Sequence, residues 1–552
     1  MYSIGIDFGT LSARAVLLDL QTGEVKAQGV FEYPHGVLDT RLPDGTVLPP
    51  DWALQHPGDY LQALETVVSQ VASQTDPARI VGISLDFTAS TVLPVDGRNL
   101  PLCLQAAWRD QPHAWVKLWK HHGAQKQADR MARIARERGE PFLQIFGGKI
   151  SSEMGLPKIL ETLECAPEVY AAADQFVEAG DWLTQLLTGE RVRSACLAGY
   201  KYFWNKKTGY PSSDYLKAVD PRLEHLAEEK LQGTVRSPCT KAGSLTGEMA
   251  KKLGLRPGIA VGVPYIDAHA GLPAVGITEP GELLMIIGTS SCDMVMGQSA
   301  QPVPGICGVV EDGLLPGYYG YEAGQSCVGD LFAWFVEHCV PEEYAAEAAA
   351  RKLSLHQLLT EKAERQKPGQ SGLLALDWWG GNRSVLMDSE LSGMILGMTL
   401  ATKPEDLYRA LIEATAYGKR MILENYEQNG IPIRRLYATG GIARKNAMMM
   451  QIYADVTGKE IFIGGSDQSG AVSSAMVGAV AAGAYDSMQT AIRKIGRVDA
   501  RSYRPDPEHQ AVYDRLYAQF CRLHDYFGRG ENNVMKTLRQ LRRQAAEETI
   551  SG

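Results

Sequence analysis

The first third of the chain alternates between short apolar runs and turn residues. Ser3 to Asp7, Ala13 to Asp19 and Val25 to Tyr33 each read as a strand, separated by a Gly-Thr turn and by Gln21-Thr22-Gly23. Strands joined this tightly predict an antiparallel meander. Between Pro57 and Gln74 the period changes: Leu61, Leu64, Val67, Val68 and Val71 fall on one face of a helix, and Ile80 to Leu85 then reads as a buried strand. Strands and crossover helices therefore share one unit.

The second half opens in the same way. Glu282 to Ile287 predicts a strand, Gly288-Thr289-Ser290 a tight turn, and Cys292 to Met296 a second strand. Ile6-Asp7-Phe8-Gly9-Thr10 and Ile286-Ile287-Gly288-Thr289-Ser290 thus place a glycine hairpin after an apolar strand in each half, an internal repeat. A long helix follows from Pro404 to Gln428, with Leu407, Leu411, Ala414, Gly418 and Met421 on one face and Gly430 as its stop. Next come the strand Arg435 to Thr439, the turn Gly440-Gly441, a helix starting near Asn446, the strand Glu460 to Ile463 and a small-residue helix from Gly470.

Pro273, Pro280 and the neighbouring glycines interrupt the periodicity near Leu272 to Gly281, which places the boundary between two closely apposed domains there. Residues 1–272 and 273–496 are read as two α/β domains. Residues 497–552 are read as a C-terminal helical extension, whose Lys536, Arg539, Arg542 and Arg543 suit a solvated face better than a membrane or partner site. A chain of 552 residues exceeds what one core usually serves, so two large domains are also the expectation from length.

Composition narrows the function. Hydrophobic residues at 45% and charged residues at 22% are ordinary for a compact globular chain. The net charge of −9 would repel a nucleic-acid backbone, yet backbone N–H groups and a few cations in a cleft can still hold a nucleotide triphosphate. The most apolar stretch, Ala471 to Ala484, is broken by Ser473, Ser474, Gly478 and Gly483 and is too short to cross a bilayer; it reads as a buried helix, with no membrane partner. Nine cysteines form no C-x-x-C pair, and the N-terminus enters a strand at once without a secretory pattern, so reduced thiols and a cytoplasmic location are expected.

Asp7-Phe8-Gly9-Thr10, followed by Ser12 and Arg14, occupies a hairpin where glycine lets the backbone approach a polyphosphate and hydroxyls add donors. Asp7 is then a candidate to hold magnesium through water. A plain hairpin with a turn-capping aspartate is the competing reading, and the Walker A spacing is absent. Gly288 and Thr289 would offer a second set of phosphate donors from the facing domain. Gly440 and Gly441, five residues before Asn446, could lie flat against an adenine ring, or simply form a tight turn before a helix. Asp267, in Val263-Pro264-Tyr265-Ile266-Asp267-Ala268-His269, stands at the junction of the halves, where a carboxylate could serve as general base or cap a helix.

In their order and separation these elements resemble the nucleotide site of the actin-like ATPase fold, two ribonuclease-H-like α/β domains with a cleft between them. From Ile4 to about Ala500 the chain resembles the FGGY carbohydrate kinases. Asp86-Phe87-Thr88-Ala89-Ser90, Glu178 to Trp182, Arg193 to Cys196, Ala198 to Lys201, Gly209 to Ser212 and Ala375 to Trp379 look most like its members that act on L-ribulose.

The resemblance implies ATP and Mg2+ as cofactors and ATP-dependent phosphorylation of L-ribulose to L-ribulose 5-phosphate, as in L-arabinose catabolism. It implies Asp267 as the base, with Thr88, Ala89, Lys201 and Glu322 around the sugar. The expected partner is a small-molecule ketopentose, and a homodimer is left open beside the monomer. At Trp108-Arg109-Asp110-Gln111-Pro112-His113 the sequence departs from the pattern, near the expected sugar wall. That keeps D-ribulose, D-xylulose and ribitol open as acceptors, with a non-kinase actin-like ATPase as the reading from another class.

Overall fold

The computed structural model describes residues 1–551, and side chains through Ala545. Its first sheet is built on the strand Tyr2–Phe8, which pairs antiparallel with Ser12–Asp19 on one side and parallel with Ile80–Phe87 on the other. Val25–Glu32 extends the meander, and Ala260–Gly262 with Lys241–Ser244 extends the opposite edge. The predicted meander and the helix Pro57–Ala72, which opens on proline at its first turn, are present.

The second sheet repeats this plan. Glu282–Ile287 pairs antiparallel with Ser291–Gly297 and parallel with Arg435–Thr439, with Tyr319–Gln325 and Ile461–Gly464 outside them. Each half therefore has antiparallel strands on one side of a central strand and parallel strands, reached by helical crossovers, on the other. This is the ribonuclease-H-like arrangement, occurring twice.

Two helices lie between the sheets and pack on each other. Asp267–Ala274 stays in contact with the first sheet and also reaches the second, where a Cβ on Gly271 would sit 3.2 Å from Leu284 and from Ile286. Ser469–Ala481 follows the second sheet but covers the first. A Cβ on Gly5 would overlap the carbonyl oxygen of Ala471, and one on Gly82 that of Gly478. The glycines and alanines of this helix thus let two backbones come close enough to exclude side chains, which explains a segment that shows little amphipathicity.

Three details depart from the sequence reading. A short helix, Gly441–Lys445, stands between the glycine turn and the helix Ala447–Thr457, and Asn446 caps the latter by accepting the Met449 N–H at 3.0 Å. Residues after Arg497 are not wholly helical: Val498–Tyr503 forms the edge strand of the second sheet, its polar side chains suited to an edge. Nor are the last helices wholly solvated. Pro507–Gly528 buries Tyr513, Tyr517, Phe520 and His524, and the phenol of Tyr513 donates to Glu413 of the Pro404–Gln428 helix. In Val534–Ser551, Lys536 pairs with Asp388 at 2.6 Å and Arg543 pairs with Glu390. Among the described residues no helix is long and apolar enough to cross a membrane.

Candidate functional site

The first hairpin is closed by the Gly9 N–H donating to the Ser12 carbonyl at 3.0 Å. Its tip is tethered from behind: the Trp119 indole N–H donates to the Thr10 hydroxyl at 3.1 Å, and the Gln55 amide donates to the Thr10 carbonyl at 2.6 Å. Ser12 is half-buried, and Arg14 is exposed directly opposite Asp7 in the antiparallel register. Cross-strand partners share a face. Asp7 and Arg14 therefore lie on the same side of the sheet.

On the parallel side Asp7 is paired in register with Asp86. The Ser474 hydroxyl, from the crossing helix of the other half, donates to one Asp86 oxygen at 2.6 Å, while the other Asp86 oxygen is buried without a hydrogen-bond partner. A Cβ on Gly470 would lie 3.1 Å from that free oxygen and 3.3 Å from an oxygen of Asp7, so the space between the carboxylates exists because residue 470 has no side chain. Burial raises the Asp7 and Asp86 carboxyls above the usual range, and the charge of Asp7 pushes Asp86 higher still.

Asp267 starts the helix that lies between the two sheets, with its carboxylate accepting the Ala268 N–H at 2.7 Å. Burial, and then the charge of Asp7, raise its pKa to about 7. Lys201, at the end of Ala195–Tyr202, and Glu322, in the strand Tyr319–Gln325, come from different halves and meet at 3.7 Å. Burial acts to lower the lysine, but Glu322, with smaller contributions from Cys307 and Glu153, offsets it and the ammonium is held above its ordinary value. Glu322, despite its own burial, is held well below the carboxylate range by Lys201, His269 and Arg383.

Thr88 donates its backbone N–H to the Phe8 carbonyl at 3.1 Å, which ties the expected sugar loop to the first hairpin. The Thr88 hydroxyl shares a 2.8 Å hydrogen bond with Thr91, and Ala89 is half-buried beside it.

In the second half, Gly288 donates to the Ser290 carbonyl at 2.9 Å, and the Gly288 and Thr289 carbonyls accept the Gly329 and Val328 N–H groups. Gly440 has φ +99°, and a Cβ there would overlap the Ile287 carbonyl oxygen, so the second glycine turn is pressed against the strand that leads into the first. Added Cβ atoms at Gly288 and Gly441 would meet nothing within 4 Å. Open space beside the two glycine turns suits a polyphosphate and a flat base, and the free buried oxygen of Asp86 beside Asp7 suits a cation.

Sequence reasoning missed Arg383 and gave no role to Asp86. Arg383 donates to Glu322 at 2.9 Å, and no periodicity or spacing marked its loop. His269, two residues after Asp267, has its Nε2 3.3 Å from Glu322 and its Nδ1 3.1 Å from the Cys196 sulfur. Asp86 sits in a strand apolar enough to mask a lone acid. In the departing segment at 108–113, His113 contacts the buried Lys117 ammonium at 3.1 Å, which also donates to the Lys158 carbonyl.

The chain is 54% identical to a ribulokinase of Bacillus licheniformis over 96% of this chain and 98% of that one. It is 52% identical to a ribulokinase of Halalkalibacterium halodurans over 98% and 97%. Among solved structures, a xylulose kinase from Rhodospirillum rubrum superposes with a TM-score of 0.78 at 24% identity, covering 95% of this chain and 98% of that one, and shares the actin-like fold. Residues 2–272 match the N-terminal domain of the FGGY family of carbohydrate kinases and residues 283–482 its C-terminal domain. The chain belongs to the FGGY family of carbohydrate kinases.

Proposed function

We propose that the chain transfers the γ-phosphoryl group of ATP to O5 of L-ribulose, giving L-ribulose 5-phosphate and ADP. The observation that carries this reading is Asp267: a carboxylate tuned to about 7, beside the Lys201–Glu322 pair and within the electrostatic reach of Asp7. Identity above 50% to ribulokinases over nearly the whole chain selects the sugar.

Phosphoryl transfer asks a protein to position groups and neutralise charge, with one base orienting the attacking hydroxyl. Asp267 accepts the proton of the sugar's terminal hydroxyl. Lys201 donates to sugar oxygens and Glu322 accepts from sugar hydroxyls, two complementary partners suited to a polyol. Ala89 leaves room beside them, and Thr88 anchors its loop. Backbone N–H groups at Thr10 and Thr289, with the Ser12 hydroxyl and the Arg14 cation, hold the phosphates, while Gly9 and Gly288, whose own N–H groups close the hairpins, let the backbone approach them. Gly440, Gly441 and Asn446 border the base.

ATP supplies the phosphoryl group, magnesium when bound would neutralise its charge, and Asp7 would hold the ion. Closure of the halves excludes water, so that the sugar receives the phosphate. With nine free thiols and a need for ATP, we place the protein in the cytoplasm.

The test is a coupled ADP-release assay across L-ribulose, D-ribulose, D-xylulose and ribitol, ranked by kcat/KM. L-ribulose is expected first. A clear D-xylulose preference, or ATP turnover indifferent to any sugar, would overturn the assignment.

A further inference from the structure

Behind the expected sugar loop lies a buried pair of opposite charges that the chemistry above does not use. Ser90 has φ +53°, a left-handed conformation costly for a residue with a side chain, and it is buried. The peptide unit after it, made of the Ser90 carbonyl and the Thr91 N–H, is gripped from both ends. The Lys158 ammonium donates to the Ser90 carbonyl at 2.7 Å, and the Thr91 N–H donates to the Glu178 carboxylate at 3.0 Å. Lys158 and Glu178 are each 1% exposed.

A peptide unit can rotate about its flanking bonds with little movement of the chain around it, and such a flip exchanges its carbonyl and N–H directions. With a cation on the oxygen and an anion on the nitrogen, only one orientation satisfies both buried charges; the other would face like polarity at each end. Lys158 also donates to the Leu118 carbonyl at 2.7 Å. The next residue, Trp119, holds the Thr10 hydroxyl of the phosphate hairpin. One lysine therefore links the backbone beside Ala89 to the tip of the first hairpin.

We propose that Lys158 and Glu178 act as a peptide clamp: they fix the orientation of the Ser90–Thr91 peptide and thereby hold the Thr88–Ala89 segment in the shape that accepts the sugar. They are positioning residues, since neither contacts a reacting atom. The inference rests on the sugar-kinase reading of the same site and adds the part that sets the sugar wall.

The test combines kinetics with amide hydrogen exchange over residues 88–95 in Lys158→Met, Glu178→Gln, Glu178→Leu and the double variant Lys158→Met/Glu178→Leu. The double variant leaves no buried charge unpaired and guards against simple misfolding. Glu178→Gln keeps an acceptor for the Thr91 N–H. It is expected to stay within about 3-fold of wild type in sugar KM, half of one hydrogen bond's typical worth. The double variant is expected to raise sugar KM by about 10-fold or more with ATP KM within 2-fold, and to speed exchange at Thr91 by on the order of 10-fold.

Faster exchange with unchanged sugar KM overturns the clamp's role, and so does a parallel rise in both KM values, which marks general loosening. Absence of sugar-dependent ADP release in the wild type defeats the kinase reading and the sugar role with it, while the exchange data still report whether the clamp itself exists. Unchanged exchange in the double variant overturns the clamp outright.

Discussion

The Lys201 ammonium and the Glu322 carboxylate stand 3.7 Å apart, one contributed by each half of the chain. Arg383 adds a 2.9 Å hydrogen bond to the same carboxylate and His269 approaches it at 3.3 Å, so Glu322 gathers three basic side chains. Glu322→Ala would leave cations in a nearly closed pocket without their anion, at a cost of roughly 3–5 kcal/mol for a buried charge. Glu322→Gln should fold better and still raise sugar KM by about 10-fold, with ATP KM little changed. Steady-state kinetics in both substrates, with a melting curve for each variant, checks this.

Asp267→Asn should lower kcat by about 10²- to 10⁴-fold, the usual worth of a general base. Circular dichroism and melting should show a folded protein. Turnover near the wild-type rate in the coupled assay would remove Asp267 from the mechanism.

The pH dependence follows from the same residue. With its pKa raised to about 7, mainly by burial, Asp267 becomes competent as a base only as pH climbs through neutrality, so kcat/KM should rise with unit slope below about 7 and level off above it. A carboxyl raised on folding favours the folded state fully below its ordinary value of 3.8, and that contribution is lost as pH rises through about 7. Asp267→Asn does not ionise. Its melting temperature relative to wild type should therefore increase between pH 4 and pH 8, by on the order of 3 °C.

Asp7→Asn should raise the magnesium concentration needed for half-maximal rate by about 10-fold, because a neutral amide holds metal-bound water less strongly than a carboxylate. A magnesium titration at saturating ATP and sugar measures this, and chelation of the metal should abolish turnover in both proteins.

Gly82→Ala tests the packing between halves. Its Cβ would meet the backbone of Gly478, which cannot swing aside as a side chain can. The expected loss is on the order of 1–3 kcal/mol, read as a lower melting temperature. The same substitution at Gly441, where a Cβ meets nothing within 4 Å, should leave stability nearly unchanged and weaken ATP binding instead.

Much of the fold was legible because local period and turn chemistry agree with the tertiary structure. The strand Glu282–Ile287 and the helix Pro404–Gln428 carry their apolar faces and stop signals in sequence, and both form with the expected limits. Val498–Tyr503 was hidden because an edge strand needs little apolar alternation, and the reading of charged helices after Arg497 passed over it. The halves of the site were also unequal. Glycine hairpins after apolar strands can be seen at short range, whereas Arg383 reaches Glu322 across 61 positions of chain, with no pattern at either end. Lys201 and Glu322 drew attention through family resemblance alone, since an isolated lysine and glutamate look like surface charges until folding brings them together.

The packing of Ser469–Ala481 on the first sheet constrains how this molecule can be divided. A polypeptide stopped after residue 272 would carry a sheet with bare glycine positions at 5 and 82, shaped for a backbone that the remaining sequence supplies. The complementary piece would keep the Ser469–Ala481 segment with nothing to lie upon. Neither portion is self-sufficient, so genetic separation should yield two insoluble products that become productive only when synthesised together.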